Sequence, residues 1–234
     1  AKLTYKYSPT LKFYYSFNQS VNINQNSQSL QSNLEYVEPS PGYQYNFQNI
    51  LDNANTFTHD NIYNSFGITH TLSSSTFYEL KVNSFFTNLR ADANGNDWYL
   101  YNEPKDIVNF PIEYYNLDRD TIGVIPGDGF WDVGNPYTWR DHYVQEFSVR
   151  GDLTNFFDEK NKFKAGFNFQ FQEMQVIDIY KPWIGELGLN NDIYKVYPAL
   201  GSLYAQDNIN FSGMVLNFGL RLDYWFPGKY VDDA

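Results

Sequence analysis

The chain has 234 residues, with 16 Lys and Arg against 27 Asp and Glu, a formal net charge of −11. That balance, with no basic run, argues against a nucleic-acid partner, and the absence of cysteine removes disulfides, thiolate metal sites and thiol nucleophiles. Aromatics at 20% exclude a disordered chain. Abundant Tyr and Phe beside Asn, Gln, Ser and Thr suit strands with one apolar and one wet face. No run of about 18 apolar residues is present, so no transmembrane helix is expected; alternating barrel strands escape that test.

The hydrophobic period is two. Residues 3–7 form a first strand-like pattern. In 11–18, Leu11, Phe13, Tyr15 and Phe17 alternate with Lys12, Ser16 and Asn18. Residues 62–72 alternate around Phe66 and Ile68. In 76–88, Tyr78, Leu80, Val82 and Phe86 oppose Glu79, Lys81 and Asn83. In 142–153, Tyr143, Phe147, Val149 and Leu153 oppose Glu146, Ser148, Arg150 and Asp152. From Phe163, the set Phe163, Ala165, Phe167, Phe169 and Phe171 opposes Lys164, Asn168 and Gln170. In 202–211, Leu203, Ala205, Ile209 and Phe211 oppose Tyr204, Gln206 and Asn208. From Leu216, the row Leu216, Phe218, Leu220 and Leu222 opposes Asn217, Arg221 and Asp223. Eight strands are expected, and no amphipathic helix.

Their connections alternate in length. Short turns fall at 8–10, 72–75, 155–161 and near 212–213, and long polar segments at 24–61, 91–141 and 180–198. Asn/Gln/Ser residues at 25–33, Pro and Gly at 38–42, and Pro126, Gly127 and Gly129 mark the long segments as loops. Tight turns on one rim and long loops on the other are the pattern of an up-and-down barrel. The expected fold is all-β: an antiparallel up-and-down transmembrane β-barrel segment, with residues 1–234 forming part of one barrel domain. A start at Ala1-Lys2-Leu3, already strand-like, reads as a piece of a longer protein.

On such a wall one face meets lipid and the other the lumen. The expected lipid-facing residues are Phe13, Tyr15, Phe17, Phe167, Phe169, Leu216, Phe218, Leu220 and Leu222. The expected lumen-facing residues are Lys12, Glu79, Lys81, Glu146, Arg150, Asn168, Gln170, Asn217, Arg221 and Asp223. Burying these charges in a dry core would cost several kcal/mol each unless they were paired, and a wet lumen avoids that cost.

The segments Tyr204-Ala205-Gln206-Asp207, Phe211-Ser212-Gly213-Met214, Asn217 to Tyr224 and Pro227-Gly228 resemble the barrel of TonB-dependent outer-membrane receptors. The likeness is to the variants with an N-terminal carboxypeptidase-regulatory-like domain. Residues 68–78 and Lys162 to Phe167 extend the likeness. The resemblance implies about a third of a 22-stranded plugged barrel in the outer membrane of a Gram-negative bacterium. It also implies uptake of a scarce ligand: an iron chelate, cobalamin, a glycan or a peptide. The implied partners are outer-membrane lipid, a plug domain, the remaining strands and the TonB complex. This stretch contains no plug, TonB box or signal peptide.

Loop aromatics are the ligand-contact candidates, since their rings can stack on sugars or cyclic chelates: Trp98, Tyr99, Tyr101, Trp131, Tyr137, Trp139 and Trp183. The same rings could instead pack loop against loop. Asp118, Asp120, Asp128 and Asp132 are weak calcium candidates, because their spacing matches no EF-hand loop. The acid-rich stretch 92–97 holds Asn94-Gly95, a turn signal. His59, His70 and His142 lack metal-ligand spacing, and Glu79 and Glu146 need no catalytic reading. No nucleophile or phosphate motif is present, so neither enzyme activity nor a cofactor is expected. Two alternatives remain open: a complete small eight-stranded outer-membrane barrel serving adhesion or structure, and a soluble carbohydrate-binding β-sandwich.

Overall fold

The computed structural model describes residues 1–25, 44–107, 112–116, 121–125 and 127–231. Most of the Asn/Gln/Ser tract, the 38–42 turn, Asp118, Asp120 and Pro126 lie outside them. The described residues form strands β1 (Lys2–Lys6), β2 (Leu11–Asn24), β3 (Asn55–Thr71), β4 (Thr76–Ala93), β5 (Ile112–Asn116) and β6 (Thr121–Ile125). There follow β7 (Thr138–Phe156), β8 (Asn161–Tyr180), β9 (Asn190–Val196), β10 (Ala199–Phe211), β11 (Met214–Phe226) and β12 (Tyr230–Val231). The helical content among the described residues is short 3-10 turns at Tyr45–Phe47, Leu51–Asn53 and Trp98–Leu100. The fold is all-β.

Ten strands make one antiparallel sheet in the order β1-β2-β3-β4-β7-β8-β10-β11, with β9 beside β8 and β12 beside β9. β9 and β10 are one strand position. β8 pairs Met174 with Val196 and Phe171 with Ala199 in a single register, and the break falls at Tyr197-Pro198. Pro198 has no N–H to give to the ladder, yet its carbonyl still accepts Gln172 N at 2.9 Å. β12 likewise extends β11 after a one-residue slip at 227–229, where Gly228 takes φ +80°. The sheet therefore has eight columns joined as a meander. Its edge strands β1 and β11 do not pair with each other, so the sheet is open.

The eight expected strands are present, but several run further toward the long-loop end. β3 starts at Asn55, β4 continues to Ala93 and β7 starts at Thr138. Two of the expected loops also carry strands. A separate β5–β6 hairpin stands within 91–141, and β9 occupies part of 180–198. In β3 from Asn55 to Asn61 and in β9, polar residues fall on both faces, so the alternation fades from the sequence while the backbone ladder continues.

Register shows two chemically distinct faces. One row of the apolar face runs Phe13, Ile68, Leu80, Gly151, Phe167, Leu203, Leu222, and the next runs Tyr15, Phe66, Val82, Val149, Phe169, Gly201, Tyr224. Along β8 this band spans Phe163 to Phe171. Toward the long loops it stops at the row Lys195, Gln175, Tyr143, Asn88, Asp60. At the short turns it gives way to Thr76, Asn155 and Asn161. The band is not covered by a second layer among the described residues: Leu220 is 85% exposed, and Leu222, Phe218, Leu203 and Phe171 are also exposed.

The small buried core lies at the long-loop end instead, where Ala93, Tyr101, Trp139 and Ile179 pack together with Trp98, Ile177 and Trp183 against them.

Candidate functional site

The polar face gathers all ten residues expected there. One row aligns Lys12, Thr69, Glu79, Asp152, Gly166, Tyr204 and Arg221, and the adjacent row aligns Tyr14, Gly67, Lys81, Arg150, Asn168, Ser202 and Asp223. Charges pair along strands because residues i and i+2 share a face. Arg150 Nε lies 2.7 Å from Asp152 Oδ2, Arg221 Nη2 lies 2.8 Å from Asp223 Oδ1, and Lys81 Nζ lies 3.6 Å from Glu79 Oε1.

Two tyrosines bind these pairs across strands by one construction. Tyr14 lies over Gly67 on the neighbouring strand and donates its hydroxyl to Glu79 on the strand beyond, at 2.9 Å. Tyr204 lies over Gly166 and donates to Asp152 at 2.6 Å. A Cβ at either glycine would fall against the ring, so only glycine leaves the passage open. Between the two arginines lies a polar concavity of about 470 Å³, lined by Glu146, Ser148, Arg150, Gln170, Tyr204 and Arg221. Glu79 and Glu146 serve different partners. Glu146 accepts Gln172 Nε2 at 2.7 Å, whereas Glu79 holds Tyr14 and Lys81.

The loop aromatics divide into two groups. Tyr101 and Trp139 are buried. Ala93 N donates to the Tyr101 hydroxyl at 2.6 Å, that hydroxyl donates to Asn55 Oδ1 at 3.3 Å, and Trp139 Nε1 donates to Asn96 O at 3.1 Å. Burial pushes the Tyr101 phenol above its ordinary pKa. Trp98 and Trp183 pack against this core, which is the loop-packing use of such rings. Tyr99 and Tyr137 remain exposed, and Trp131 is half-buried. Tyr137, Tyr180 and Trp183 group together, with ring centroids 6.2 Å apart for Tyr137–Tyr180 and 5.7 Å for Tyr137–Trp183.

The loop carboxylates fix turns. Asp92 accepts Arg90 Nε at 2.7 Å and Gly95 N at 2.6 Å, around Asn94 and Gly95 with φ +56° and +73°. Asp128 accepts Phe130 N and Asp132 accepts Ile107 N. Among the described residues there is no group of three or more His, Asp or Glu placed to hold a metal. Asp118 and Asp120 lie outside those residues. His59 meets Thr87 and His70 meets Tyr78.

The Tyr-over-Gly construction, Tyr180 and Lys181 were not legible as site residues. The repeated Arg-x-Asp spacing at 90/92, 150/152 and 221/223 was the available signal for the ion pairs. The partner strands of Tyr14 and Tyr204 emerge only from register.

Neither a family model, a curated protein nor a solved structure matches the chain.

Proposed function

We propose that the chain is a wall segment of an outer-membrane barrel of the TonB-dependent receptor kind, non-catalytic, with its apolar face toward lipid and its ion-paired face toward a hydrated lumen. The observation that carries this reading is the bounded apolar band. The nine residues from Phe163 to Phe171, at about 3.4 Å rise and a tilt near 40°, give a height of about 23 Å. A transmembrane barrel presents an apolar band about 25 Å tall. Strand extensions beyond the band hold the long loops outside the membrane. The open β1 and β11 edges favour a wall segment over a closed eight-stranded barrel. The exposed Leu220 and Leu222 row favours lipid over the inner layer of a soluble sandwich.

The test is a charge scan in the intact protein, read as heat-modifiable mobility and protease resistance of the membrane-assembled form. Phe167→Lys, at the middle of the band, is expected to cost about 2–4 kcal/mol of assembly stability. Asn168→Lys, one residue on and on the opposite face, should assemble like the parent. Equal loss from both substitutions overturns the orientation.

A further inference from the structure

A lysine ammonium sits against two tyrosine rings at the long-loop end. Lys181 Nζ lies 5.6 Å from the Tyr137 ring centroid and 5.7 Å from that of Tyr180, within the range of cation–π attraction. Both tyrosines are 41% exposed. Trp183 flanks Tyr137 and is backed by the Trp139–Ile179 core, which fixes the group to the sheet.

The backbone is bent to place this lysine. Lys181 takes φ +49°, a conformation that a long side chain rarely adopts, and is held there by its N–H to Tyr137 O at 2.6 Å and its carbonyl to Ile184 N at 3.0 Å. The surrounding charge favours cations. Over the described residues of the long-loop end (44–60, 87–107, 112–116, 121–125, 127–144, 173–197 and 227–231), Asp and Glu number 14 and Lys and Arg number 6. Such a field concentrates cations and repels anions.

We propose that Tyr137, Tyr180 and Trp183 form an aromatic cage for an organic cation, the ammonium group of a basic peptide, and that Lys181 fills this cage until the ligand displaces it. The inference rests on the receptor reading and names the ligand class for its long-loop end. The local chemistry selects against an anionic chelate, since the two tyrosine rings already accommodate an ammonium and the rim carries excess negative charge.

The experiment uses the intact protein folded in detergent micelles, titrated with trilysine and with triglutamate and followed by calorimetry and tryptophan fluorescence. Trilysine should bind, more weakly as salt is raised, and triglutamate should not. Tyr137→Ala and Tyr180→Ala should each weaken trilysine binding about fivefold, while Tyr137→Phe, which keeps the ring, should match the parent. Lys181→Gln should strengthen binding severalfold by removing the internal competitor, and Lys181→Gly, which also relieves the backbone, should do so too. Equal binding of the two peptides, unchanged binding in both alanine variants, or weaker binding in Lys181→Gln overturns the proposal. A protein that passes the membrane charge scan yet does not discriminate the peptides overturns the cage alone. One that binds trilysine but fails the scan overturns the receptor reading alone.

Discussion

Tyr204 shows how much one side chain can organise on an open sheet. Its ring covers Gly166, its hydroxyl reaches Asp152, and Asp152 in turn holds Arg150, so one phenol ties β10, β8 and β7 together. A hydrogen bond to a charged acceptor contributes about 1.5–3 kcal/mol when well shielded, and partial exposure reduces that here. Tyr204→Phe is expected to lower the stability of the assembled protein by about 1 kcal/mol, measured by the urea midpoint in micelles, and Tyr14→Phe should behave alike. Asp207 is the opposite case. It pairs with Phe163 and Phe218 on the apolar face, and its Oδ1 is buried without a hydrogen-bond partner. Near the edge of a lipid-facing band an acid costs up to about 1 kcal/mol, so Asp207→Leu should raise the same midpoint. A fall would show that the carboxylate has a partner in the assembled protein.

Among the elements, the β7–β8 hairpin turns on Asp158. Its carboxylate accepts Lys160 N at 2.7 Å, Asn161 Nδ2 at 2.7 Å and Asn161 N at 2.8 Å, and these donors, the Lys160 backbone amide foremost, hold its pKa below the ordinary carboxylate range. A lowered folded-state pKa contributes stability that is fully present above the unfolded value near 3.9 and is lost as pH falls through the folded value. Amide exchange at Lys160 and Asn161 should therefore accelerate below about pH 4 relative to other turns, and Asp158→Ser should flatten that dependence. Exchange at these two amides that followed pH just as other turns do in the parent would refute the role.

The strands themselves were legible wherever one face is apolar, as in Phe163 to Phe171 against Lys164 to Gln170. β9 was not, because Asn190–Val196 has polar residues on both faces and is cut from β10 by Pro198. The aromatic candidates were legible as a class but not by role. Whether Trp139 faces a ligand or a neighbour depends on contacts with Ala93, Tyr101 and Ile179 from distant segments, which no local spacing encodes.

At the scale of the whole molecule, the sheet leaves two kinds of surface open. Along β11, from Met214 to Phe226, one side of the backbone ladder has no strand beside it among the described residues, and Leu216, Phe218, Leu220 and Leu222 are exposed in a row. An exposed strand edge templates pairing with another chain, and an apolar patch of this extent drives association in water. The polar face does not offset this, since its Arg–Asp pairs are solvated and contribute little to stability by themselves. The 234-residue chain, refolded without lipid or detergent, is therefore expected to form large assemblies in light scattering. Micelles should cover the apolar face but leave the β1 and β11 edges free, so small oligomers should persist there. Lysines at both Leu220 and Leu222 should shift the aqueous sample toward smaller species, while lysine at Asn217 should not. A monodisperse monomer in plain buffer would mean that something other than lipid covers the Leu220–Leu222 row, and the lipid-facing assignment would fail with it.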